Sequence, residues 1–295
     1  MDRKQFIKSV GLLSLSGLAM KLNSLNNILN NGENTDTMPV LFVGHGSPMN
    51  AIENNQFSRE MKEIGKKLPK PKAILMVSAH WETKGTFVTA QANPPTIHDF
   101  GGFPKELFET VYPAPGSKWL AEETKKTVSG TTIGFDENWG FDHGCWSVTK
   151  NMFPEADIPI IQLSLDYTKD AQYHYNLGKQ LASLRKKGVL IMGSGNMVHN
   201  FGYVQIKGND FNAPFGHDWA IEANEKFKKL ITADEHAPLI KYKEQGKAFN
   251  LAIPTPEHYL PLLYALALKD KKENVSFFND VPLAGSFTMT SVLIS

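Results

Sequence analysis

Four histidines stand where apolar runs break into glycine- or proline-bent segments: His45 in G-H-G-S-P, His80 in S-A-H-W, His199 in G-S-G-N-M-V-H-N and His258 in P-T-P-E-H-Y. A neutral imidazole is the commonest protein ligand for a transition metal, so four of them on separate stretches of chain point to a metal centre. His45 follows the apolar run 40–43 and His80 follows 73–77. Both therefore fall where an open α/β sheet ends its strands, the edge at which such folds bind ligands. Alone, His45 would fit as well as a hydrogen-bonded turn residue, His80 as a packed strand-end residue donating one hydrogen bond, and His199 as a helix-start residue facing solvent; convergence carries the reading. His199, beyond the glycines at 193 and 195, could serve as a ligand or as a general base, because histidine titrates near neutrality. Glu257 and His258 are adjacent at an expected helix start, where neighbours point about 100° apart, so one of the two is expected to coordinate and spacing does not choose between them.

A fifth segment, D-H-G-C-W-S-V at 142–148, offers Asp142, His143, Cys145 and Ser147. It has no G-x-S-x-G elbow for a nucleophilic serine, and His143 is better read as facing substrate or supporting the metal. Of the other histidines, His174 and His236 sit among polar residues and are expected to be solvated, while His98 and His217 lie in loops that could line a pocket. No C-x-x-C pair, H-E-x-x-H or phosphate-binding glycine loop occurs, which discounts structural zinc, zincin proteolysis and nucleotide hydrolysis.

The elements that must hold these residues follow from periodicity. Strands are expected at 40–43, 73–78, 86–90, 158–163, 189–193 and 286–294, and helices at 57–67, 117–129, 170–187, 218–232 and 258–268. Their alternation predicts an α/β fold: one domain, 38–295, with a central sheet flanked by helices on both faces. A Pro-, Gly- and aromatic-rich stretch at 91–115 reads as a functional lid or wall. With 295 residues and a formal charge of +1, the chain can bury a real core and has no global field to gather nucleic acid or a membrane surface. The single cysteine, Cys145, excludes an internal disulfide and reads as a small buried residue. Residues 1–37 have the layout of an export signal and linker: a basic start, R-K-x-F-I-K, resembling a twin-arginine signal with lysine in the second place, then a short apolar run and an Asn-rich stretch. That predicts a periplasmic protein without stable membrane association after export; the alternative is a cytoplasmic protein with an amphipathic N-terminal helix.

Taken in order, G-H-G-S-P, S-A-H-W-E, H-D-F-G-G-F-P, Y-P-A-P-G, D-H-G-C-W-S, G-S-G-N-M-V-H-N and P-T-P-E-H-Y-L-P-L resemble the class III extradiol ring-cleaving dioxygenases, in their 4,5-DOPA extradiol dioxygenase branch. The resemblance implies a single α/β domain with a mixed sheet and a divalent metal held by His45, His80 and His258, with Glu257 as the alternative third ligand. It implies that His199 is the catalytic histidine, able to approach the metal, and that His143 helps bind substrate or oxygen. The substrates would be a catechol such as DOPA and O2, and the protein a monomer or small homo-oligomer. Zinc has no redox chemistry, so ring cleavage predicts Fe(II), and zinc found in a purified sample would be either a mimic or evidence for a different activity. In many members the loop at 98–104 reads Y-D-F-Y-G-F-P; the loss of two tyrosine rings here predicts a larger pocket with an added ionisable group. Two rival readings are a zinc-dependent hydrolase on the same scaffold and a non-catalytic metal-binding protein.

Overall fold

The computed structural model describes residues 37–208 and 210–295, so the expected export signal and all but the last residue of the linker lie outside the described residues. Six strands build the central sheet: β1 (Val40–Gly44), β2 (Ala73–Ser78), β3 (Ile160–Gln162), β4 (Val189–Gly195), β5 (Val275–Phe278) and β6 (Ser291–Ile294). Their order is β3-β2-β4-β1-β6-β5. The first four run parallel, with β4 central: Val40 to Gly44 pair with Ile191 to Gly195 on one side, and Ala73 to Ser78 with Val189 to Ser194 on the other. β6 joins β1 antiparallel and β5 joins β6 antiparallel, so the sheet is mixed.

The helices are α1 (Gln56–Lys67), α2 (Lys118–Thr127), α3 (His143–Met152), α4 (Ala171–Gln180), α5 (Asp218–Thr232), α6 (Lys247–Ala252) and α7 (Leu260–Ala267), with shorter turns between them. Successive strand residues face opposite sides. Val40, Phe42, Leu75, Val77, Val189 and Ile191 join one large core with residues of α2, α4, α5, α6 and α7. Leu41, Val43, Ile74, Met76, Leu190 and Met192, of the other parity, are equally buried, and on that face α1 and α3 cross so closely that a Cβ on Gly65 would stand 2.2 Å from Met152 O. Strands buried on both faces read as unbroken apolar runs, which is why β1, β2 and β4 are plain in the sequence.

Several expectations shift. The run 170–187 is interrupted at Leu181, whose N–H reaches back only to Gly178 O, and resumes as a short turn at Ala182–Arg185. The run 286–294 divides into Phe287–Thr288 and β6, because the Met289 backbone packs onto Gly44. Residues Thr86–Thr89 form a strand, but it pairs with Ile133–Asp136 outside the central sheet. α7 begins at Leu260, with Pro261 in its first turn where the missing N–H costs nothing, so Glu257 and His258 occupy the turn before it. His174 is fully buried rather than solvated, and His236 is half-buried with its Nδ1 2.7 Å from Tyr175 OH. Among the described residues no helix is long and apolar enough to cross a membrane.

Candidate metal centre

Parallel strands β1, β2 and β4 end side by side, and the residue types that follow them set the site. The His45 N–H donates to Gly195 O at 3.1 Å and the Ala79 N–H to Ser194 O at 3.0 Å, so the ladder carries each strand to the brink of its histidine. Asp142 starts α3 by accepting the Cys145 N–H at 3.0 Å. The same carboxylate accepts from Ser78 Oγ and from Gln162 Nε2, both at 2.6 Å. This ties the helix to the tips of β2 and β3, and it leaves His143 as the first helical residue, beside His80. Gly144 makes the approach possible: a Cβ there would meet Ser78 Oγ at 2.5 Å. The turn bearing His258 is drawn in by the Asn196 N–H, which donates to His258 O at 2.9 Å. A Cβ on Gly195 would lie 2.1 Å from that oxygen, and one on Gly193 would lie 2.4 Å from Pro261 O. These glycines thus admit the 256–261 backbone.

The imidazoles meet. Ring centroids are 4.9 Å apart for His45 and His80, 5.3 Å for His45 and His258, and 5.0 Å for His80 and His258. His143 lies 3.8 Å from His80 and 5.4 Å from His45. The possible ligand atoms of His45, His80 and His143 all fall within 4.8 Å of one another, as do those of His199, Glu257 and His258. Burial and then the neighbouring rings push the proton affinities of His45 and His80 well below the ordinary value. Burial lowers that of His258 as well, against the pull of Glu257. The donor set is therefore neutral imidazole, as a transition metal requires.

Outer partners fix the tautomers. Ser194 Oγ donates to Gly144 O at 2.6 Å, so toward His45 Nδ1, 3.0 Å away, it can only accept. Asp99 Oδ2 stands 2.9 Å from His143 Nδ1 and 3.3 Å from His80 Nδ1, and Glu257 Oε1 lies 3.1 Å from His258 Nδ1. His45, His143 and His258 thus carry the hydrogen on Nδ1 and leave Nε2 as a bare lone pair, while His80 Nδ1 makes only an ion-pair contact with Asp99. His80 Nε2 lies 3.2 Å from that lone pair on His45, a distance bridged by one proton or by a cation shared between the two nitrogens; the residues fit one divalent metal.

His199 stacks on His258 with centroids 3.6 Å apart and planes 7° from parallel. Its backbone is held by the Ala252 carbonyl at 2.9 Å and by bridge pairing with Phe287. Burial and His258 bring its pKa down to about 3, Glu257 opposing. All five histidines open into one cavity of about 560 Å³ whose other walls include Asp99, Phe100, Phe103, Phe201, Phe211 and Phe287. That size and largely apolar lining suit a small aromatic ligand.

Residues 39–284 match the family model of the catalytic LigB subunit of aromatic ring-opening dioxygenase. The chain belongs to this family. A 4,5-DOPA dioxygenase extradiol of Escherichia coli K12 is 46% identical over 261 residues, covering 87% of this chain and 94% of that protein. One of Beta vulgaris is 34% identical over 271 residues, covering 88% and 99% respectively. The crystal structure of an uncharacterized protein from E. coli K12 superposes with a TM-score of 0.75 at 41% identity, over 88% of this chain and all of that one. As a ring-opening dioxygenase, the protein has the expected single domain and mixed sheet.

Within this dioxygenase the sequence-derived candidates His45, His80, His143, His199, Glu257 and His258 all reach the site. Cys145 is fully buried, its thiol pushed well up by desolvation, and takes no part. His98 turns away, its Nε2 2.9 Å from Thr110 O, and His217 faces Tyr203 O at 2.9 Å. Neither lines the cavity, so the ionisable group gained in the 98–104 loop lies outside it, and that loop contributes Asp99, Phe100 and Phe103 instead. Asp99 and Ser194 were missed as partners of the histidines. Asp142, three residues before Cys145 in a run without a helical period, was the available signal for α3.

Proposed function

We propose that the protein is a metal-dependent extradiol dioxygenase that opens the ring of a catechol such as DOPA with O2, with His45, His80 and His258 holding ferrous iron. The single observation that carries the reading is the convergence of the His45, His80 and His258 rings, with Nδ1 of His45 and His258 held by outer partners and the Nε2 atoms of His45 and His80 3.2 Å apart. Glu257 acts through His258, whose Nδ1 it engages, and is the less favoured ligand. When bound, the metal would grip both catechol oxygens, make their hydroxyls more acidic and pass electron density toward dioxygen.

The chain's own residues supply the rest. The phenylalanine walls hold the ring by apolar and edge-to-face contact and keep water out. His199, facing the cavity, accepts the proton of the second hydroxyl on a ring nitrogen and returns it as the ring opens. A pKa of about 3 makes it a weak base alone, so the transfer depends on a hydroxyl already acidified. His143 hydrogen-bonds the substrate oxygens through Nε2, and the Asp99 carboxylate behind it offsets positive charge that develops on the ring. The test is to load metal-free protein with Fe(II) under anaerobic conditions, then admit oxygen with a panel of catechols. Oxygen uptake and a yellow ring-opened semialdehyde are expected; an iron form that takes up no oxygen, beside a zinc form that hydrolyses model esters, would overturn the reading.

A further inference from the structure

The cavity into which the histidines open is also lined by a carboxylate held by amides rather than by imidazoles. Glu53 lines the same cavity as the five histidines, just beyond the short turn Pro48–Ala51, its N–H donating to Met49 O at 2.9 Å. Its Oε2 accepts from Asn55 Nδ2 at 3.1 Å and from Asn212 Nδ2 at 3.3 Å, so amides on two different walls hold the carboxylate. Asn55 is itself immobilised as the cap of α1, where its Oδ1 accepts the Phe57 and Ser58 N–H groups at 3.0 Å and its amide also donates to Asn50 Oδ1 at 2.8 Å. Glu53 Oε1 has no partner among the described residues. No lysine or arginine is among the described residues lining the cavity. The other carboxylate there, Asp99, is engaged by His143 and His80. Glu53 is therefore the carboxylate among the described lining residues that engages no histidine, and it has an acceptor to spare.

We infer that Glu53 selects catechols whose side chain ends in an ammonium group over those ending in a carboxylate. The inference rests on the ring-cleaving reading for the placement of the catechol at the histidines, and it adds the class of substrate. An ammonium donates a charge-assisted hydrogen bond to Oε1. A carboxylate brought to the same place meets like charge with no cation to offset it, and an amino-acid tail, which carries both, gains and loses together.

The test compares dopamine, DOPA, 4-methylcatechol and 3,4-dihydroxyphenylpropionate on the iron-loaded enzyme. It also measures their binding to the zinc-loaded protein by calorimetry. The expected order is dopamine first, 4-methylcatechol and DOPA between, and the propionate last, with kcat/KM and Kd for dopamine better than for the propionate by about ten-fold or more. In Glu53→Gln the dopamine-to-propionate ratio should fall toward one, and in Glu53→Lys it should invert. Equal or reversed preference in the wild-type protein overturns the inference without recourse to any variant. Preference that persists in Glu53→Gln overturns its assignment to Glu53. If no catechol is cleaved, 4-methylcatechol included, the ring-cleaving reading fails, and the binding order alone decides whether Glu53 discriminates; catechols that do not bind overturn both.

Discussion

His174, enclosed between α4 and α7, has its Nδ1 3.0 Å from Tyr264 OH, whereas at the carboxyl edge of the sheet His45, His143 and His258 engage outer partners through Nδ1 and, with His80, converge on one another. Burial disfavours the charged ring in both places. The helix layer, however, supplies one ring and one hydroxyl: His174 Nε2 is left buried without a hydrogen-bond partner, and only the rings of Tyr173 and Tyr264 lie against it. At the sheet edge several imidazoles lie against one another instead. A buried, neutral histidine is thus ordinary core; several that share an unsatisfied focus make a metal centre.

The sharpest way to break this contrast is to remove one converging ring. His45→Ala should reduce metal content from stoichiometric to near zero by elemental analysis and lower kcat/KM by more than about a thousand-fold. Retained metal and activity would mean that the focus lies elsewhere. Smaller is the effect expected of His199→Gln, which should keep the metal yet lose roughly 10²–10⁴ in kcat, the usual worth of a placed acid/base. If that variant instead empties the site, His199 belongs among the ligands. Smaller again is Asp99→Asn, read by metal titration and kcat together. An amide offers one acceptor where the carboxylate now serves His143 Nδ1, the His143 N–H at 2.8 Å and His80 Nδ1. Loss of an outer partner typically weakens affinity or turnover by about 10–100-fold. A fall in kcat with metal affinity intact would show that Asp99 works through His143 alone.

The two regions also differ in how far sequence exposes them. The histidines at the ends of β1 and β2 follow apolar runs long enough to declare buried strands, and α5 occupies the expected range 218–232 because its apolar stripe keeps helical period. α3 is hidden because residues 143–149 are buried on every side, so no amphipathic period marks it. The outer partners are hidden for another reason: Ser194 is 149 residues from His45, and Asp99 is 44 from His143. A serine or aspartate in a loop looks like a turn former until the fold brings a ring against it. His174 misleads in the opposite direction, its polar sequence neighbours suggesting solvent while the packing of Gly178 on Tyr264 closes the space.

The smallest effect sharpens the contrast from the side of the helix layer, where no ligand is at stake. Desolvation brings His174 down to about 4 from an ordinary value of 6.5, against the partial pull of Asp166 and Asp170. As pH falls, the unfolded chain takes up this proton first. The stability contributed by the neutral ring is therefore complete above about pH 6.5 and is lost as pH falls toward 4, a change of roughly 3 kcal/mol. Glutamine cannot titrate, yet it can still reach Tyr264 OH. His174→Gln should thus be less stable than wild type at pH 7 by about 1–2 kcal/mol, with the gap closing or reversing by pH 4 in urea unfolding. Titration of the metal-centre histidines is common to both proteins and cancels in the difference, and kcat/KM at pH 7 should not change. A gap independent of pH would mean that His174 keeps its proton in the fold through Asp166 and Asp170, and the two regions would then differ in charge as well as in convergence.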